Sequence, residues 1–526
     1  MDLIFKENIF VISNKQLKHS YKNDIIFLFG YCFTDNTIIK NREITVNEYD
    51  YIKNNRNEIG GIFVVIHKNN NKISMIIDPL VQYNIFYYFT NKDLTISNNI
   101  FEIAKNHNLR NENKNFIHNY ALKQCPLAGN TLIENVFILQ YDDIYNPDFS
   151  NKFKKIIPHS FENFVILKMK NDIYDNFNYF ELKQLYINKL MLRSKIIQKT
   201  FTEIYISLTG GADSRLVTSL FMNNDNVYYY CYGDGKRQDR LVSEYIIERF
   251  KLKKGKRIPV VGNKVKTVGD ILQCIEDSNS HKLNLNLYIN SPINNNCCNL
   301  TGYYGANICG GIPIDIPSFI NGEKIYPNEY NYISDFKTYY SNLRSTTIND
   351  LFYVNNRGLS HYSCHSIANN KYGNSFDILI DPINLKLVEK CPYTDYNINR
   401  NSITIDLIFQ INDKLALLPY DNRIIPLFKK FENIPEFNCF TKHIFDEKQN
   451  IHEYIYIRNI VKKRAYNLFK SNCDCENHEL MYCNELKYIY RKYDYILNTQ
   501  NNVSEDVFKF FLYSVYYLHN LNNLNN

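Results

Sequence analysis

Ser207-Leu208-Thr209-Gly210-Gly211-Ala212-Asp213-Ser214-Arg215 follows the apolar run Ile204-Tyr205-Ile206 and passes directly into Leu216-Val217-Thr218-Ser219-Leu220-Phe221. The spacing predicts a strand, then a glycine turn carrying hydroxyls and one carboxylate, then a helix. A glycine turn that opens a helix gathers unpaired backbone N–H groups at the positive end of the helix dipole, which suits an anion. Gly210 and Gly211 let that backbone come close to a phosphate, because neither carries a Cβ. Thr209 and Ser214 add hydroxyl donors, and Asp213 is a hard oxygen ligand of the kind magnesium takes. Arg215 opens the helix, where a guanidinium can grip phosphates or a carboxylate substrate, or sit on the surface. The plainer reading of the same residues is a helix cap, with Asp213 or Ser214 at the N-cap position.

The flanking sequence repeats the pattern. A second buried-type run, Val227-Tyr228-Tyr229-Tyr230-Cys231-Tyr232, ends at Gly233-Asp234-Gly235, and residues 238–248 have helical apolar spacing. A third short run, Arg257-Ile258-Pro259-Val260-Val261, follows. Strands alternating with helices predict a parallel, doubly wound α/β sheet, which binds ligands outside the carboxyl ends of its strands. The turn at 209–214 lies at one such end. Cys231, Tyr232 and Gly233 lie at the next, where a neighbouring strand's backbone can meet an adenine.

The turn is not the Gly-Lys-Ser/Thr loop of kinases and GTPases, nor the G-x-G-x-x-G of dinucleotide binders. It matches S/T-G-G-x-D-S, the pyrophosphate loop of ATP pyrophosphatases, and from there the chain resembles the asparagine synthetase family. Leu300-Thr301-Gly302-Tyr303-Tyr304-Gly305-Ala306-Asn307-Ile308-Cys309-Gly310-Gly311 falls where that family has a second glycine-rich, acidic loop. Asn356-Arg357 and Leu379-Ile380-Asp381-Pro382 are similar to its helical C-terminal half. Gly60-Gly61-Ile62-Phe63-Val64-Val65-Ile66, Met75-Ile76-Ile77-Asp78-Pro79, Asn84-Ile85-Phe86-Tyr87-Tyr88 and Ser97-Asn98-Asn99 resemble its glutamine-amidotransferase domain, which Gly129-Asn130-Thr131-Leu132 helps to close.

The resemblance implies an N-terminal antiparallel, Ntn-hydrolase-like α+β domain over residues 1–150 and a connection over 151–180. A parallel-sheet, adenine-nucleotide α-hydrolase-like domain with a helical C-terminal half then covers 181–526. It implies ATP and Mg2+ as cofactors, with Thr209, Gly210, Gly211, Ser214, Cys231, Tyr232, Gly233, Thr301 and Gly302 at the nucleotide. Asp213 would hold the metal, and Asp213 and Arg215 would carry the chemistry. The implied partners are a small-molecule carboxylate (aspartate by default) and ammonia or an amine donor. A second copy of the chain is a candidate for a homodimer.

Three departures from the family pattern matter. The cysteine that family members expose at the N-terminus is replaced by Asp2, and a carboxylate cannot perform that nucleophilic step. The family's Asn-Gly-Glu segment is also missing from Phe27-Leu28-Phe29-Gly30-Tyr31-Cys32-Phe33, so the first domain is expected not to hydrolyse glutamine. In the second loop the acidic positions fall on Tyr303, Ala306 and Asn307, with Asp315 either a replacement carboxylate or a turn residue. For a family-type lysine, Lys414, Lys429 and Lys442 are candidates by position, each equally readable as a solvated surface lysine.

A chain of 526 residues with 45% hydrophobic and 15% aromatic content can build two or three domains with sizeable cores. The net charge of +7 is mild for this length, and basic clusters such as Lys253-Lys254-Gly255-Lys256-Arg257 are short, which argues against a nucleic-acid partner. No apolar run approaches a membrane span, and the first residues lack a signal-peptide plan, so a soluble cytoplasmic chain is expected. Thirteen cysteines, an odd number, fit reduced thiols better than a disulfide framework. Cys473, Cys475, His478 and Cys483 offer zinc-type ligands at a spacing unlike the common fingers, or free thiols in a polar loop. The sheet is expected to end near Ile314, and Ser504 to cap a final helix. Two alternative activities stay open: a tailoring ligase like β-lactam synthetases or peptide cyclases, and a non-catalytic nucleotide-binding homologue.

Overall fold

The computed structural model describes residues 2–6, 9–13, 24–90, 94–113, 116, 127–145, 164–167, 173–231, 238–255, 296–302, 327–343, 348, 351–391, 402–416 and 418. Its N-terminal part runs β1 (Asp2–Lys6), β2 (Ile9–Ser13), β3 (Ile25–Phe33), β4 (Ile38–Glu43), α1 (Val46–Asn55), β5 (Gly60–Asn69) and β6 (Lys72–Ile77). It continues with β7 (Phe86–Phe89), β8 (Leu94–Ser97), α2 (Ile100–His107), β9 (Val136–Ile138), α3 (Tyr141–Tyr145) and β10 (Phe164–Leu167). These strands make two sheets, ordered β1-β2-β8-β7-β9 and β10-β6-β5-β3-β4. Every pairing is antiparallel except β10 beside β6.

Strand alternation decides what each face packs against. Phe29, Tyr31, Ile62, Val64 and Ile66 turn to one side of the second sheet, and Leu28, Cys32, Phe63 and Val65 to the other. The first side meets the other sheet, with ring centroids 5.2 Å apart for Phe10–Phe29 and 5.4 Å for Phe5–Phe27. The second side is covered by Tyr49 and Ile52 of α1. That helix starts at a capping box: the Thr45 hydroxyl accepts from Glu48 N while the Glu48 carboxylate accepts from Thr45 N. Strand β10 lies beyond residue 150, in the stretch expected to be a connection, and completes the second sheet instead.

The second part begins with α4 (Tyr179–Thr200), whose capping box pairs Asn178 with Glu181, and then β11 (Glu203–Ser207), α5 (Ala212–Ser219), β12 (Val227–Tyr230), α6 (Gln238–Arg249) and β13 (Cys297–Thr301). Helix α7 (Pro327–Tyr339), a π-helical stretch Val354–Ser363, α8 (Cys364–Tyr372), β14 (Ser375–Asp377), α9 (Ile383–Lys390), α10 (Ser402–Ile411) and α11 (Asp413–Ala416) follow. Four strands form an all-parallel sheet in the order β12-β11-β13-β14. Beyond β12, the segment 253–255 adds a parallel bridge: Tyr229 N donates to Lys253 O at 2.9 Å and Gly255 N to Tyr229 O at 2.7 Å.

The structure thus shows antiparallel sheets followed by a parallel sheet with helices, a mixed α/β chain. The parallel sheet does not end near Ile314 as the sequence suggested, because β14 extends it at 375–377. One apolar core links the parts: Phe10, Phe29 and Val64 belong to the same cluster as Ile204, Ile206, Leu300 and Phe376. Among the described residues no helix is long and apolar enough to cross a membrane.

Candidate functional site

The glycine turn forms where the sequence placed it. Ile204 and Ile206 are buried on one side of β11, and the chain leaves the sheet at Ser207 to enter α5 four residues after Leu208. Gly211 is the N-cap of α5, with extended backbone and no side-chain cap. Neither Asp213 nor Ser214 caps the helix, which corrects the plainer reading. Ser214 instead braces the turn from within: Thr209 N donates to Ser214 Oγ at 3.0 Å, and the two hydroxyl oxygens lie 3.0 Å apart. Gly211 N donates to Thr209 Oγ1 at 3.2 Å. Thr209, Gly211 and Asp213 are half-buried, whereas Gly210 is buried.

The position of this turn within the sheet is the informative part. Numbered by their place in the chain, the parallel strands run third (the 253–255 segment), second (β12), first (β11), fourth (β13), fifth (β14). Strand order therefore reverses between β11 and β13. Crevices at such a reversal, outside the carboxyl ends of the strands, are where open α/β sheets bind ligands. Both ends at this reversal carry expected residues: Thr209 follows β11, and Thr301 and Gly302 close β13. They meet directly. A Cβ at Gly302 would lie 2.8 Å from Asp213 C, 2.9 Å from Asp213 O and 3.0 Å from Ser214 N, so only glycine lets β13 end against the first turn of α5.

Arg215 is placed otherwise than expected. It is fully buried, and its Nη1 donates to Leu415 O at 3.3 Å and Leu418 O at 2.8 Å. Leu415 belongs to the short helix α11 and Leu418 lies just beyond it, so the guanidinium sits at the carbonyl end of that helix. Arg215 thereby ties α5 to the chain leaving α11 through its Nη1. Cys231, half-buried and outside any disulfide, follows the end of β12. Its neighbour Tyr230 donates its hydroxyl to Asn299 Oδ1 at 2.7 Å, which crosses β11 to reach β13. Lys414 is exposed on α11, so it remains a solvated lysine in this structure.

Asn356 and Asp381 do not reach the turn. Asn356 faces the N-terminal part, with Gln140 Nε2 3.3 Å from its Oδ1. Asp381 is buried against Arg193, whose Nη1 also donates to Ile378 O at 2.9 Å and Ile380 O at 3.0 Å, while Lys189 Nζ lies 3.4 Å from the same carboxylate. Asp2 lies in β1 opposite Ser13.

Sequence reading missed the residues that fix the far side of the site. Asp377 ends β14 opposite Thr301, and Tyr31 of the N-terminal part holds its backbone. No local pattern signals a bond between residues 346 apart. Among the described residues no group of three or more His, Cys, Asp or Glu side chains is placed to hold a metal ion. The donor set at the turn is one carboxylate, Asp213, with the Thr209 and Ser214 hydroxyls. Such hard oxygens fit magnesium provided that nucleotide phosphates and water complete its octahedron.

Tyr232 and Gly233, the stretch 303–311 with Tyr303, Ala306 and Asn307, Asp315, Lys429 and Lys442 lie outside the described residues, as does the Arg357 side chain. So do Cys473, Cys475, His478 and Cys483, and the helix expected from Ser504. No model of a known protein family matches this chain, and no curated protein matches it.

Proposed function

We propose that this chain is an ATP-dependent amide-forming ligase of the asparagine synthetase type. Its N-terminal sheets would correspond to an Ntn-hydrolase-like amidotransferase domain, and its parallel sheet to an adenine-nucleotide α-hydrolase-like domain. The observation that carries the reading is the S/T-G-G-x-D-S turn at the reversal of strand order, pressed against Gly302. Turn chemistry and sheet topology both support a phosphate ligand at that spot.

In this reading the backbone of Gly210 and Gly211 and the hydroxyls of Thr209 and Ser214 hold the pyrophosphate of ATP. The chain beside Tyr230 and Cys231 lies where the adenine would rest. Asp213 would hold magnesium, which supplies charge neutralisation on the phosphates. An acceptor carboxylate attacks the α-phosphorus, the bond to the β-phosphate bridge breaks, and pyrophosphate leaves. An amine then attacks the acyl-adenylate, loses its proton, and AMP departs as the amide forms. The protein's part is to position the reactants and stabilise charge, which is where most acceleration of this kind arises.

With the family's Asn-Gly-Glu segment missing from residues 27–33, the nitrogen would come from free ammonia, another protein or the substrate's own amine. This opens the tailoring chemistry of β-lactam synthetases and peptide cyclases beside aspartate amidation. ATP–pyrophosphate exchange with a panel of carboxylates separates the cases. Exchange with aspartate supports asparagine formation, exchange with another acid only supports a tailoring ligase, and ATP binding without exchange supports a non-catalytic homologue. Asp213→Ala abolishes exchange; full activity in that variant would overturn the site assignment.

A further inference from the structure

Side chains from the N-terminal part hold both ends of β14, the edge strand of the parallel sheet. Tyr31 Oη accepts from Asp377 N at 2.9 Å and has Asp377 O as its own acceptor at 3.3 Å. At the other end Lys40 Nζ donates to Gly373 O and lies 3.3 Å from Asn374 Oδ1. Between them Phe376 is enclosed by Tyr31, Phe33 and Phe201, with centroids 5.2, 6.2 and 5.8 Å away. Tyr31 is buried, and burial pushes its phenol well above the usual 10, so the hydroxyl keeps its proton at any ordinary pH.

The strand carrying Tyr31 is shaped for the task. The β3–β4 register slips by one residue between Leu28 and Tyr31, and Gly30 there has φ +82°. A Cβ on Gly30 would lie 2.0 Å from Ile62 O, so glycine is required for this bulge. A bulge of this kind bends a strand and re-aims the side chain beside it.

From Asp377 the contacts continue to the turn. Asp377 pairs with Thr301, and the next residue, Gly302, lies against the backbone of Asp213 and Ser214. We propose that Tyr31 is a positioning residue for the glycine turn. By fixing the end of β14 it fixes the end of β13, and so sets how closely Gly302 supports the first turn of α5. The N-terminal sheets then serve as the template for the turn. The geometric half of this inference stands alone; its effect on nucleotide rests on the reading proposed above.

Tyr31→Phe in the full chain tests it, because the ring and its packing stay while one buried hydroxyl goes. The control is Tyr49→Phe, which removes a hydroxyl 3.0 Å from Ser74 Oγ on the opposite face of the second sheet. Losing a buried hydrogen bond shifts a local opening equilibrium by about tenfold. Tyr31→Phe should therefore speed amide hydrogen exchange at residues 209–214 by about that factor and weaken MgATP binding comparably. Tyr49→Phe should do neither. Unchanged exchange at 209–214 in Tyr31→Phe, or an equal rise in both variants, overturns the inference. If exchange responds as expected while the wild-type chain fails to bind MgATP, positioning holds and the nucleotide reading falls. Should Tyr31→Phe not fold, Lys40→Gln, which releases the other end of β14, is read in the same way.

Discussion

Replacing Gly302 by alanine tests the site where it is most exposed to failure. The added methyl would stand 2.8 Å from Asp213 C, 2.9 Å from Asp213 O and 3.0 Å from Ser214 N, where ordinary contacts begin at 3.4 Å. All three atoms are backbone, so no side chain can swing aside to make room. Either the end of β13 or the first turn of α5 has to retreat by about 0.6 Å, and displacements approaching 1 Å at a reacting site have large functional effects. Overpacking of this sort costs about 1–3 kcal/mol, which corresponds to about a 5- to 150-fold loss if it falls on ligand binding. The expected result is MgATP affinity weakened by between one and two orders of magnitude, read by calorimetric titration, with a modest fall in the urea midpoint. Gly211→Ala is the matched comparison. Among the described residues its methyl would meet Thr209 Oγ1, at 3.4 Å, and its backbone is ordinary extended, so the stability loss should be limited to the poorer N-cap that alanine makes, about 1 kcal/mol or less. Its affinity for MgATP should still fall, because the methyl stands where the phosphate approaches. Wild-type affinity in Gly302→Ala would refute the contact between β13 and the turn as a determinant of the site. Wild-type affinity in both variants would remove the phosphate from the turn altogether.

Three further outcomes follow from individual groups. Arg215→Lys should lose about 2–3 kcal/mol of stability, since the carbonyls of Leu415 and Leu418 lose a buried donor geometry that lysine cannot reproduce. MgATP affinity measured where the variant stays folded should be retained; a large loss of affinity at unchanged stability would return Arg215 to the ligand. Asp78 accepts from the backbone of Leu80, Gln82 and Tyr83, yet burial outweighs these donors and pushes its carboxyl up to about 7. Because the fold favours the protonated form, the Asp78 contribution to stability is greatest at acid pH and falls as pH rises from about 4 through about 7. Asp78→Asn should remove that slope, and an unaltered pH profile of unfolding would contradict the assignment. Thr45→Ala should cost about 1 kcal/mol by opening the capping box of α1, with no effect on the glycine turn; a urea titration followed by circular dichroism decides it.

The local elements were legible because their causes are local. Asn178 and Glu181 stand three residues apart, so α4 begins where its caps allow. Ile204 and Ile206 alternate with Tyr205, so β11 presents one apolar side, and Gly210-Gly211 ends it. Two placements have physical causes that no window of sequence contains. Arg215 reads equally well as an anion ligand or a surface residue until α11 supplies Leu415 O and Leu418 O beside it. Strands β10 and β14 are only four and three residues long, too short to show a period, and each is defined by the strand it joins.

Sequence by itself determined a strand, a glycine turn and a helix, since glycine geometry, hydroxyl chemistry and apolar alternation act over a few residues. Tertiary structure decided where that turn lies. Strand order depends on which edges pair, a choice governed by burial across the whole core. That choice alone puts β13 beside β11, Gly302 beneath α5, and Tyr31 of the N-terminal sheets at the end of β14.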